Sequence, residues 1–169
     1  MNLLFTGASG FLGYNVLPLL KKKYSVETIG LTSQDDYIVN LAAEIPKLAG
    51  KYDVILHVAG KAHSLPKTEA EKRLFFDVNL QGTKNLCTAL EQSGIPKSFI
   101  FISTVAVYGC DSGENITEEY PLNGTTPYAL SKIKAEKYLE EWCAMHNVKL
   151  SILRPSLIAG PNPPGNLGA

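Results

Sequence analysis

Tyr128-Ala129-Leu130-Ser131-Lys132 sets a phenol and an ammonium four residues apart, which on a helix is one face. Such a pair can move a proton. A free tyrosine ionises near pH ~10 and is a poor base at neutral pH, but a fixed ammonium beside it stabilises the phenolate and lowers that value. The tyrosine can then take a proton from a hydroxyl group. The same spacing also begins many ordinary amphipathic helices, so the pair carries weight only with companions. Ser103 and Thr104 close the run Ser98 to Thr104, and a hydroxyl at the C-terminal end of a parallel strand stands where such folds bind ligands. Strand alternation lets only one of the two point at a reacting oxygen, and the other caps backbone. Asn79 and Gly82 fall inside a long helical pattern, where a glycine is about 1 kcal/mol worse than alanine. Asn79 there bends the helix or holds a water near Lys132. Close packing at Gly82 is the plainer explanation, and the two are compatible.

A second group binds phosphate. Thr6-Gly7-Ala8-Ser9-Gly10-Phe11-Leu12-Gly13 lies directly between an apolar strand and a helical pattern. The first glycine permits a tight turn, the second lets backbone approach a pyrophosphate, and the third allows close helix–strand contact. Backbone N–H groups at the helix start face the anion. Gly7, Ser9, Gly10, Phe11, Leu12 and Gly13 are therefore candidate dinucleotide contacts, against the plainer reading of a glycine turn without a ligand. With a nicotinamide dinucleotide on this turn, Tyr128 would take a substrate proton while hydride leaves for the nicotinamide.

The adenosine end is open. An acidic residue about 20 positions beyond the glycines would bind the ribose 2′-hydroxyl and mark NAD. The second strand instead runs Ile29-Gly30-Leu31-Thr32-Ser33-Gln34, with Asp35 and Asp36 a few residues late and no arginine to hold a 2′-phosphate. The cofactor is NAD or NADP, with a slight lean to NADP because nothing at the strand end would repel the phosphate. Asn40 and Leu41 are candidates for the adenine edge, and Asn40 reads equally well as a turn residue.

These groups need elements to position them. Apolar runs alternate with helical patterns, which predicts βαβ units and a parallel sheet. Strands are expected over Leu3 to Thr6, Val26 to Leu31, Val54 to Val58, Ser98 to Thr104 and Val148 to Leu153, with a short extended piece at Tyr37 to Leu41 and a weak helix near Glu44. Helices are expected over Phe11 to Lys23, kinked at Pro18, over Thr68 to Gln92, and over Pro127 to Met145 behind a Thr126 cap. The fold class is α/β, a doubly wound parallel sheet of the Rossmann kind, in one domain over 1–169. Gly160 to Ala169 reads as an exit loop.

Composition agrees with a globular domain. The 169 residues are 45% hydrophobic and 19% charged, with 16 basic and 16 acidic side chains, so no bulk charge recommends nucleic acid or an anionic membrane as a partner. Cys87, Cys110 and Cys143 are scattered and read as free thiols in a reducing compartment. With no signal-peptide pattern and no apolar run near the roughly 20 residues that span a membrane, a cytoplasmic protein is expected. No metal site is expected: His57 reads as a strand residue, and His63 and His146 have no partners at ligand spacing. Lys61 and His63 follow the third strand, near enough to meet cofactor or substrate. Asp111, Glu114, Glu118 and Glu119 read as a solvated loop on the substrate side. Tyr138 and Trp142 are core or interface.

Taken in order, these segments resemble the extended short-chain dehydrogenases/reductases, in the NAD-dependent epimerase/dehydratase branch. The resemblance spans nearly the whole chain: Thr6 to Gly13, His57-Val58-Ala59-Gly60, Asn79 to Leu86, Ser103 to Gly109, Tyr128 to Lys132, and Leu153-Arg154-Pro155 with Gly160-Pro161. It implies Tyr128 as catalytic base and acid, and Lys132 as its partner and holder of the nicotinamide ribose. It makes Thr104 the catalytic hydroxyl with Ser103 its neighbour, and Asn79 the helix asparagine. Val58, Ala59, Gly60 and Pro155 would line the cofactor. The helix bearing Tyr138 and Trp142 would offer a homodimer face. The resemblance further implies a nucleotide-sugar substrate, and family length implies a C-terminal substrate-binding part that this chain lacks. Val105 and Ala106 stand where the 4,6-dehydratases carry Asp-Glu, which argues against a dehydratase. An epimerase-like oxidoreductase is expected, with an NADPH-dependent reductase or a non-catalytic dinucleotide-binding module as the alternatives.

Overall fold

A computed structural model of the chain describes residues 1–62, 65–110 and 112–161; His63, Ser64, Asp111 and the tail from 162 onward lie outside the described residues. Six strands form one sheet: β1 (Asn2–Thr6), β2 (Ser25–Gly30), β3 (Tyr37–Ile38), β4 (Val54–His57), β5 (Ser98–Ile102) and β6 (Lys149–Leu153). Their order is β3-β2-β1-β4-β5-β6, and every pairing is parallel. Crossovers from β1 run one way through the sheet and those from β4 run the other. Because such crossovers are right-handed, the two sets of helices cover opposite faces. This is the doubly wound Rossmann arrangement, and its switch point lies between β1 and β4.

Helix α1 (Phe11–Lys21) crosses from β1 to β2. It passes through Pro18 without interruption and ends at Lys21, two residues earlier than its lysine run suggested. Helices α2 (Glu69–Phe76) and α3 (Gly82–Ser93) cross from β4 to β5, and α4 (Pro127–His146) crosses from β5 to β6. The core lies between the sheet and the α3/α4 side. Leu4, Ile29, Ile55, Phe99 and Phe101 from the strands meet Leu86, Leu90, Leu139 and Trp142 from the helices.

The helix starts follow their caps. Thr68 accepts from the Glu71 N–H while the Glu71 carboxylate accepts from the Thr68 N–H, a reciprocal box. Thr126 accepts from the Ala129 N–H at 3.1 Å, with Pro127 next in the first turn.

Two expectations are corrected. The helix expected over Thr68 to Gln92 is interrupted by a π turn at Asp77–Gln81, where the Gly82 N–H reaches back to the Asp77 carbonyl. That wide turn admits one extra residue, and Asn79, which it buries, has a side chain that bonds outside the helix. The helix expected near Glu44 does not form. Asn40 instead starts a turn, its Oδ1 accepting from the Ala42 N–H at 3.1 Å and its carbonyl accepting from the N–H groups of Ala43 and Glu44.

Candidate active site

The carboxyl ends of the central strands open into a cleft of about 620 Å³. Gly7, Ser9, Gly10, Phe11 and Leu12 line it from the first turn, and Asn40 and Leu41 from beyond β3. Val58, Ala59, Gly60 and Lys61 line it from the end of β4, and Ser103, Thr104, Tyr128, Lys132 and Pro155 from the β5, α4 and β6 side. Residues expected to bind a dinucleotide and residues expected to move a proton therefore share one cavity. Gly13 and Asn79 act from behind its wall.

The glycine turn has the shape a pyrophosphate requires. Gly7 has φ +81°, and a Cβ on it would stand 2.7 Å from the Ala59 nitrogen. A Cβ on Gly13 would stand 2.4 Å from the Gly7 carbonyl oxygen, so only glycine lets α1 sit against the turn. Gly10 is different: a Cβ there would meet nothing closer than 3.4 Å, and its exposed face looks into open space. Among the described residues no side chain caps the N-terminus of α1, and its first turn holds no acidic residue. Free N–H groups and an open backbone face suit a diphosphate.

A buried hydrogen-bond chain ties this turn to the rest of the cleft. Thr83 donates its hydroxyl proton to the Asn79 carbonyl at 2.7 Å, so its oxygen must accept from His57 Nε2–H at 2.9 Å. His57 Nδ1 then accepts from the Thr6 hydroxyl at 2.6 Å, while the Thr6 oxygen accepts from the Ala59 N–H at 3.1 Å. The imidazole is thereby fixed as its Nε2–H tautomer. Burial, with the Lys132 charge adding to it, pushes its pKa down to about 3.

The proton-moving end is equally built in. Asn79 accepts at Oδ1 from the Lys61 N–H at 2.8 Å and donates from Nδ2 to the Lys61 carbonyl at 3.0 Å and to Ser131 Oγ at 2.8 Å. Both its amide protons are thus spent on the protein. Lys132 is buried, donates to the Ile102 carbonyl at 2.7 Å, and lies 4.4 Å above the Phe101 ring. Burial lowers its pKa to about 8, with Glu136 opposing that shift. A Cβ on Gly60 would stand 3.1 Å from Asn79 Oδ1 and 3.3 Å from Lys132 Nζ, so these three residues converge. Half-buried Tyr128 packs against Phe75, ring centroids 6.1 Å apart. Its pKa is raised by burial, with the Thr104 hydroxyl pulling the other way. The lowering expected from Lys132 is absent from this arrangement, because the ammonium is directed at Ile102 and the Phe101 face.

Ser103 and Thr104 separate as strand alternation requires. Thr104 begins a 3-10 turn (Val105–Tyr108), accepts from the Ala106 N–H at 3.2 Å, and faces Tyr128. Ser103 turns inward and donates to the buried Glu136. Glu136 also holds Arg154 through contacts of 2.7 and 3.2 Å, and Arg154 reaches the Tyr108 hydroxyl at 3.1 Å and the Glu118 carbonyl at 2.9 Å. Glu136 was missed from sequence. Its signal was a carboxylate amid Ile133, Ala135, Leu139 and Cys143, a stripe that α4 buries and that tolerates a charge only with a partner.

Among the described residues no cluster of three His, Cys, Asp or Glu side chains could hold a metal ion, and no helix is long and apolar enough to cross a membrane. Cys87 and Cys143 are buried free thiols and Cys110 is exposed.

Known proteins share this fold. The NAD dependent epimerase/dehydratase family model matches residues 3–168. The N-acetyl-alpha-D-glucosaminyl-diphospho-ditrans,octacis-undecaprenol 4-epimerase of Escherichia coli O157:H7 is 33% identical, over 98% of this chain and 51% of its own length. UDP-glucose 4-epimerase of Thermus thermophilus, solved in complex with NAD, superposes with TM-score 0.74 at 26% identity, over 91% of this chain and 54% of that one. RMD from Pseudomonas aeruginosa, solved complexed with NADPH, gives TM-score 0.79 at 26% identity, over 95% and 55%. The chain spans about half the length of these relatives. A parallel sheet with a glycine turn at its switch point, matched in sequence from the first strand through the last, places this chain in the NAD dependent epimerase/dehydratase family.

Proposed function

We propose that this chain is the dinucleotide-binding and hydride-transferring part of a nucleotide-sugar epimerase-like oxidoreductase. The observation that carries the reading is a single cleft holding the open face of Gly10 together with Tyr128, Thr104 and Lys132. The relatives extend it to diphosphate-linked sugars: a nucleotide sugar in UDP-glucose 4-epimerase and an undecaprenol-linked one in the Escherichia coli relative. A bound nicotinamide dinucleotide would supply the hydride acceptor and donor. Gly7, Gly10 and the start of α1 would hold its diphosphate, and Ala59, Gly60 and Pro155 would line it. Thr104 would orient the sugar hydroxyl, and Tyr128 would take that hydroxyl's proton and later return it. Lys132 would hold the nicotinamide ribose. Burial raises the phenol's pKa here, and a Lys132 ammonium turned from the Ile102 carbonyl toward Tyr128 would lower it for proton abstraction. Such contacts commonly tighten only in the loaded site.

In an epimerase, the keto sugar would turn over and take hydride back on its other face. Val105 and Ala106 offer no acid or base for eliminating water, which disfavours a dehydratase. An NADPH-dependent reductase, with Tyr128 donating the proton, is the second reading, favoured by the likeness to RMD. A purely non-catalytic module would have no need to keep Tyr128, Thr104 and Lys132 together in the cleft.

The test is Tyr128→Phe in the full-length protein. Cofactor binding should be unchanged by calorimetry, while turnover of UDP-sugars falls by about 10²-fold or more. Turnover at the wild-type rate would remove Tyr128 from the mechanism.

A further inference from the structure

Strand β2 ends on Gly30 at the cleft rim, beside Asn40 and Leu41. Folds of this kind grip an adenosine ribose with an acidic side chain in this region, and Gly30 has none. The space such a side chain would occupy is nevertheless filled. A Cβ built on Gly30 would stand 2.4 Å from Oδ2 of Asp35, 2.6 Å from its Cγ and 2.6 Å from its Oδ1. The carboxylate of Asp35 thus lies where an aspartate at the strand end would carry its own.

This placement is built into the loop. Asp35 is 8% exposed. Its Oδ2 accepts from the Thr32 N–H at 3.0 Å and the Thr32 hydroxyl at 2.7 Å, and its N–H donates to the Thr32 carbonyl at 3.1 Å. No donor among the described residues is bonded to Oδ1. The neighbouring acid is spent elsewhere: Asp36 Oδ2 accepts from the Thr28 N–H at 2.8 Å and the Thr28 hydroxyl at 2.9 Å, back along the strand. The cleft lining at this end, Ile29 to Leu31 and Val39 to Ala42, contains no cation.

We propose that Asp35, reaching under Gly30 from the loop after β2, is the ribose-reading carboxylate of this site, accepting from the 2′-hydroxyl of NAD and rejecting the 2′-phosphate of NADP. The inference rests on the dinucleotide reading above. A phosphate brought to an uncompensated carboxylate at a partly buried rim meets like-charge repulsion, whereas a hydroxyl gains a charge-assisted hydrogen bond. The lean to NADP drawn from the bare end of β2 is thereby reversed, because the repelling group arrives from later in the sequence.

Calorimetric titration of this chain with NAD, NADH, NADP and NADPH tests it, beside Asp35→Asn, which keeps the side chain's shape and removes its charge. The wild type should bind the NAD pair at least tenfold more tightly, and Asp35→Asn should shrink that ratio at least tenfold, chiefly by strengthening NADP. Titration of the wild type with ADP-ribose and its 2′-phosphate reads the same selectivity without a variant. Wild-type preference for the 2′-phosphorylated ligand, or an unchanged ratio in a folded Asp35→Asn, would overturn the assignment of Asp35 alone. Failure of a folded wild type to bind any dinucleotide would overturn the dinucleotide reading, and this inference with it.

Discussion

His57 shows how tightly one residue can be specified. It is 1% exposed, its ring is stacked on Phe101 at 5.6 Å, and both its nitrogens are committed to threonine hydroxyls. A second ring proton would have no acceptor, so the folded protein holds the imidazole neutral down to about pH 3. The unfolded chain takes up that proton near pH ~6.5. Between those values the unfolded state binds more protons, so stability must fall as pH drops. The slope should approach ~1.4 kcal/mol per pH unit between pH ~6 and ~4.5, above the range where most carboxylates titrate. Urea unfolding at pH 7, 6, 5 and 4.5 would reveal it, and an imidazole of His57 titrating near pH 6.5 in the folded protein would refute it. Sequence alone placed His57 in a strand, but its partners Thr6 and Thr83 lie far off in the chain, and no local spacing announces them. Tyr128 and Lys132, by contrast, were legible because one helix turn holds both.

At the scale of elements, the π turn between α2 and α3 is the clearest departure from local pattern. In the helical run from Thr68 onward Asn79 and Gly82 marked a costly place, but not a π turn, because such a turn uses the same residues as an α-helix and differs only in admitting one more. Its cause is tertiary: Asn79 bonds the backbone of Lys61 and the hydroxyl of Ser131, and those bonds repay the irregular backbone. Gly82, just after it, was read as a site of close approach. It is buried, yet a Cβ there would lie 3.5 Å from Leu41 Cβ, an ordinary contact. Gly82→Ala should therefore stabilise the protein by roughly 0.5–1 kcal/mol, read as a rise in the urea midpoint. A loss of stability would mean that α3 lies closer to Leu41 than this geometry allows. Helix starts were easier to read than helix interiors, since Thr126-Pro127 advertises itself in two residues.

Across the whole molecule, the parallel sheet of βαβ units followed from alternating apolar runs and helical stretches, while the order of its strands came only with the structure. So did the network that locks the β5–β6 side, because it joins residues from four segments. Glu136 on α4, Ser103 after β5, Arg154 after β6 and Tyr108 in the 3-10 turn meet around one buried carboxylate. Glu136→Gln should cost on the order of 3 kcal/mol, since it leaves the mostly buried guanidinium of Arg154 without its anion. Thermal melting would show this, and an unchanged melting temperature would make the ion pair dispensable. The same side of the sheet ends on β6, which among the described residues pairs with β5 alone and leaves Leu153 half exposed. An unpaired strand edge is a template for another chain, and with acidic and basic side chains equal in number no long-range repulsion keeps two copies apart at neutral pH. The isolated chain is therefore colloidally weakest where its chemistry would be studied, and concentrated samples will keep better a unit or more of pH away from neutrality than at it.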